Sequence, residues 1–112
     1  MFVREMRRQA SGLSVEHLNR TFDRITPGMK RMALRLYRAI DPATYRGWED
    51  ELLALTRRIP TCVLWGDRDP YIEPRYAERF GAREVHHYPE HGHWLAAEAV
   101  EDFASKVRLF LS

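Results

Sequence analysis

Apolar residues fall in two different rhythms along the chain. Met29, Met32, Ala33, Leu36, Tyr37 and Ile40 recur at helical spacing and make one apolar helix face. Thr26 can cap that helix. Pro27 suits its first position, where the missing N–H has no partner to lose. Lys30, Arg31, Arg35 and Arg38 lie off the face. Asp41-Pro42 predicts the end, since proline disfavours helical backbone in the residue before it. A second helix is predicted from about Tyr45 to Arg58, with Trp48, Leu52, Leu55 and Ile59 as its stripe. Glu49, Asp50 and Glu51 near its start and Arg57 and Arg58 at its end suit the helix dipole, and Pro60 stops it. Residues 1–25 are more polar. A short helix from about Val15 to Arg24 would carry Leu18 and Phe22 on one side. Ser14 precedes it, but the acid of a capping box falls at Glu16, with His17 in the place the box requires.

After Pro60 the pattern changes. Thr61-Cys62-Val63-Leu64-Trp65 is a short apolar run without polar alternation, bounded by Pro60 and Gly66. It reads as a parallel strand covered on both faces. Pro74 to Phe80 predicts a short helix closed by Gly81. Glu84-Val85-His86-His87-Tyr88 predicts a second strand. The last helix carries Val100, Phe103, Ala104, Val107 and Leu111 on one face. Strand, helix, strand with residues 66–83 between the strands implies a parallel crossover, right-handed by the general rule. The expected fold class is therefore α/β: helical segments over 1–58, then a β-α-β unit and a closing helix over 59–112.

Composition narrows the choices. A chain of 112 residues fits one domain and excludes a barrel enzyme. With 45% hydrophobic residues and a net charge of only +2, intrinsic disorder is excluded. No apolar run approaches the ~18 residues of a membrane span, so no membrane partner is expected. Met1 to Arg8 has no apolar core of the kind a signal peptide needs. The single cysteine, Cys62, excludes an internal disulfide and points to a reducing, cytoplasmic setting. Its place mid-strand makes it a small buried hydrophobe. Charge is uneven: residues 1–58 hold 12 Lys/Arg against 7 Asp/Glu, and residues 59–112 hold 6 against 9. Interleaving with apolar residues at helical spacing makes Arg31, Arg35 and Arg38 a wet helix face, so no nucleic-acid partner is expected.

Two parallel strands have their carboxyl ends on one edge. Asp69 follows the first strand and His93 the second, so both are expected on that edge, where open α/β sheets place their sites. A carboxylate beside an imidazole orients the ring and stabilises its protonated form, which fits the imidazole for general-base work. Asp67 is the fallback acid. Its plainer role is a loop carboxylate bound to local backbone. His86, His87 and His91, with His93 and Asp67, invite a metal reading, but His86 and His87 point to opposite strand faces. No metal or other cofactor is expected.

The same residues resemble a family. Ile59-Pro60-Thr61-Cys62-Val63-Leu64-Trp65-Gly66-Asp67-Arg68-Asp69-Pro70, then Gly92-His93-Trp94, Glu98 and a helix ending Phe110-Leu111 are similar to the carboxyl-terminal end of an α/β-hydrolase. The resemblance implies that Asp69 is the triad acid and His93 the triad histidine. It implies that the helices over 15–58 are a cap-like segment above the pocket. Trp94 and Tyr37 become candidate pocket residues, although packing at helical spacing is the plainer role for Tyr37. Full-length members hydrolyse esters, epoxides or carbon–halogen bonds through a covalent intermediate.

The chain departs from the family in having no Gly-x-Ser-x-Gly elbow and no equivalent with Asp at its centre. The nearest segment, Gly12-Leu13-Ser14-Val15-Glu16, lacks the second glycine. Two triad members of three are present, so the chain alone is expected to be inactive. A two-stranded sheet also leaves an apolar edge and face, which predicts self-association or a complementary amino-terminal hydrolase half. A small-molecule substrate follows only once the site is completed. The second reading is a non-catalytic dimerising module. A nucleic-acid binder ranks last.

Overall fold

A computed structural model describes residues 4–5 and 12–112 of the chain. The leader reading over Met1 to Arg8 and the start of the cap-like segment fall mostly outside the described residues.

Helix α1 spans Val15–Asp23. The Ser14 hydroxyl accepts from the His17 amide at 3.2 Å, so the cap forms without the reciprocal acid. Glu16 instead pairs with Arg20 one turn on, at 3.0 Å. Leu18 is fully buried. Helix α2 spans Pro27–Ala39 and is capped by Thr26, whose hydroxyl accepts from the Met29 amide at 3.2 Å. None of its residues is buried.

The second predicted helix is split. Pro42–Tyr45 is a 3₁₀ turn capped by Asp41. Gly47 then takes a left-handed conformation (φ 85°), and α3 runs only from Trp48 to Thr56. The break re-aims the helix. Leu52, Leu53 and Thr56 are half-buried, while Trp48, Leu55 and Ile59 of the expected stripe are exposed.

Strands β1 (Cys62–Gly66) and β2 (Glu84–Tyr88) pair in parallel, Cys62 opposite Glu84 through Gly66 opposite Tyr88. The connecting Pro74–Phe80 segment is a 3₁₀ helix, ended by Gly81 at φ 60°. The chain closes with α4 (Leu95–Glu98), a short helix that was not anticipated, and α5 (Val100–Leu111), separated by a break at Ala99. In α5, Phe103, Ala104, Val107 and Phe110 are half-buried, while Val100 and Leu111 point to solvent.

These elements correct the expected fold class. The described residues are mainly helical, and their one sheet has two five-residue strands joined through a 3₁₀ segment. That is a mixed fold, and nothing in it makes the larger sheet of an α/β-hydrolase. The apolar run of β1 predicts a strand covered on both faces. With one neighbouring strand and a thin helical cover, Cys62 to Trp65 remain half-buried. Among the described apolar residues the buried core is Leu18, Ala77, Tyr88 and Leu95. No helix among them is long and apolar enough to cross a membrane.

Candidate functional site

The loops that leave β1 and β2 are stitched together by their backbones. The Asp67 amide donates to the Tyr88 carbonyl at 3.0 Å, and the Arg68 amide to the His91 carbonyl at 2.9 Å. Such close approach requires Gly66 to lack a side chain. A Cβ there would lie 2.2 Å from the Gly92 carbonyl oxygen and 2.8 Å from that of His91.

On this platform Asp69 divides its carboxylate. Oδ1 accepts from the Tyr71 amide at 2.8 Å and the Ile72 amide at 3.2 Å, closing a tight turn. Oδ2 accepts from Nδ1 of His93 at 2.8 Å. The Asp69 side chain is 10% exposed and that of His93 36%, so the carboxylate is shielded while the ring meets solvent. Burial pushes the Asp69 carboxyl up. The His93 hydrogen bond, the two amides and the His93 charge outweigh it and hold the carboxyl below its usual range. With Nδ1 engaged, Nε2 is the ring nitrogen left for chemistry.

His93 borders two depressions. One of about 620 Å³ is lined by Tyr37, Tyr71, Ile72, His93 and Trp94. A smaller one of about 230 Å³ lies between Asp69, His93, Leu64, Trp65 and Leu95. The Tyr71 and Trp94 rings each meet the His93 ring edge-on, at centroid distances of 5.2 and 5.5 Å. Asp69, His93, Trp94 and Tyr37 therefore gather at one place, 32 residues of sequence separating Tyr37 from Asp69. Tyr71 and Ile72 were not anticipated. Their signal was available, since an Asp two and three residues upstream caps such amides and fixes where the next side chains point.

The other candidates separate from this pair. Asp67 neither serves His93 nor caps local backbone. Its Oδ1 lies 2.6 Å from Nδ1 of His87, whose Nε2 lies 3.0 Å from Glu78. Asp67 first, then Glu78, raise the His87 pKa against the opposing effect of burial. His86 contacts Glu84 at 3.3 Å on the opposite sheet face. His91 stands 3.6 Å from Glu98. Each histidine thus meets its own carboxylate, and the set His86, His87, His91, His93 and Asp67 does not converge. A carboxylate neighbour alone does not single out His93. What sets it apart is the pairing of a 2.8 Å hydrogen bond to its acid, where His91 stands 3.6 Å from the buried Glu98, with a depression lined by the aromatic rings of Tyr37, Tyr71 and Trp94.

Glu98 supports the site from beneath. Its side chain is fully buried, and Oε2 accepts from the Gly92 amide at 3.0 Å, fixing the backbone from which His93 projects. No family model matches the chain, and neither a curated protein sequence nor a solved structure matches it.

Proposed function

We propose that this chain supplies the acid and histidine of a hydrolytic site whose nucleophile comes from a partner segment. The observation that carries the reading is the shielded 2.8 Å Asp69–His93 bond beside an aromatic-lined depression. In the completed site the nucleophile forms an ester with the substrate: a hydroxyl nucleophile passes its proton through His93 to the alcohol that leaves a substrate ester, whereas a carboxylate nucleophile displaces halide from carbon or opens the epoxide C–O bond to an alkoxide that takes a proton from solvent. Water then attacks the ester carbonyl carbon while Nε2 of His93 takes its proton. Asp69 stabilises the imidazolium, which returns the proton to the departing oxygen. Substrates are esters, epoxides or carbon–halogen compounds, with Trp94, Tyr71 and Tyr37 around their apolar part. The single cysteine suits a reducing, cytoplasmic setting.

The sequence carries no nucleophile elbow, so the isolated chain is inactive in this reading. The test mixes the purified chain with an amino-terminal hydrolase half that bears the elbow, using an activated ester. Turnover appears only in the mixture, and His93→Ala lowers it by at least about 10²-fold. Robust turnover by the chain alone, abolished by His93→Ala, would overturn the reading. A stable complex without turnover would favour the second reading, a non-catalytic interaction module, which the chain's exposed apolar helix α2 also supports.

A further inference from the structure

We infer that Cys62, Glu84 and His86 form a binding site for a zinc-type divalent cation at the start of the two strands. The pairing register creates the set. Cys62 lies directly opposite Glu84, and His86 follows two residues later on the same face. One donor atom from each of the three lies within 4.8 Å of the other two. The His86 Nε2 and a Glu84 carboxylate oxygen are already 3.3 Å apart.

The donor types select the cation. A thiolate with an imidazole disfavours magnesium and calcium, and a mixed sulfur, nitrogen and oxygen set suits Zn²⁺ or Co²⁺. Bond lengths of about 2.3 Å to sulfur and 2.0–2.2 Å to nitrogen and oxygen place tetrahedral donors about 3.3–3.6 Å apart. Closing from the observed spread takes a side-chain rotation of Glu84, which is 44% exposed and can make it. Cys62 and His86 are half-buried on strands, so two of the three donors are positioned in advance. The fourth position is open to water.

Burial, then the Glu84 carboxylate, push the Cys62 thiol up, while Lys106 on α5 pulls it down. A divalent cation replaces the thiol proton, which goes to solvent, and neutralises the carboxylate that opposes ionisation. The site is separate from the Asp69–His93 pair, at the opposite end of strands about 13 Å along.

Equilibrium dialysis of the reduced protein against Zn²⁺ is expected to give one ion per chain. Co²⁺ is expected to give a near-ultraviolet thiolate charge-transfer band. Cys62→Ser, which leaves shape nearly unchanged, removes that band and weakens Zn²⁺ binding by at least about 100-fold; His86→Ala weakens it similarly. Asp69→Asn and His87→Ala leave binding unchanged. Circular dichroism of each variant shows that loss of binding is not loss of fold. Failure to hold Zn²⁺ at micromolar concentration overturns the inference. So does Co²⁺ binding without the band, or binding that survives Cys62→Ser and is lost in His87→Ala.

Discussion

Asp69 does two jobs with two oxygens, and substitutions can separate them. Asp69→Asn keeps an acceptor for the Tyr71 and Ile72 amides, whereas Asp69→Ala leaves both amides and the His93 ring without it. Urea unfolding is expected to show Ala costing about 1–2 kcal/mol and Asn measurably less. Equal losses would mean that the turn does not depend on the side chain. The carboxylate also sets an acid limit. Its pKa is held down in the folded chain, so its contribution is fully present above the unfolded value of about 3.9. That contribution is lost as pH falls through the lower folded value. Urea midpoints between about pH 5 and pH 3 should therefore fall, and fall less steeply in Asp69→Asn. The pairing of Asp69 with His93 was legible in sequence because both follow parallel strands by a few residues. The pairing of Asp67 with His87 was not. It depends on where side chains point after Gly66, which strand periodicity does not carry past the end of the strand.

Between elements, glycines decide how closely the pieces approach. Gly66→Ala pushes a Cβ into the backbone of Gly92, where no flexible side chain can yield. A loss of about 2–3 kcal/mol in chemical unfolding is expected. The Arg68 amide, bonded to the His91 carbonyl at 2.9 Å, should exchange its hydrogen faster in that variant. Unchanged exchange would show that the two loops tolerate separation. Gly47 shows the same residue type limiting what sequence reveals. Apolar spacing runs from Tyr45 to Ile59 as though one helix held it, yet a left-handed Gly47 interrupts the run and turns Leu53 inward in place of Leu55. Strand β1 and the start of α2 were legible because local signals there agree: an apolar run bounded by Pro60 and Gly66 in the first, and a Thr cap with proline at the first turn in the second. The fold class was not. Two short strands read alike whether two strands or many lie beside them, so the extent of a sheet is a non-local property.

At the scale of the whole chain, surface area sets the problem. The molecule exposes 9021 Å², whereas a compact monomer of this mass exposes roughly 6,500 Å². Its radius of gyration of 16.5 Å exceeds the roughly 13 Å expected for a compact domain of this length. The excess area is of the size that obligate interfaces bury. Much apolar surface sits on α2, where Met32 is 63% and Leu36 64% exposed one turn apart. We predict self-association while no other chain covers that face, because apolar area returned to water costs about 25 cal/mol per Å². Light scattering over a concentration series should show mass rising above that of the monomer. A chain carrying Met32→Glu and Leu36→Glu should stay monomeric to higher concentration, while its Asp69–His93 loops remain as protected against hydrogen exchange as before. A wild-type chain that scatters as a monomer throughout would show that this face needs no cover. The partner proposed to bring the nucleophile would then have to bind elsewhere, over the depression that His93 borders.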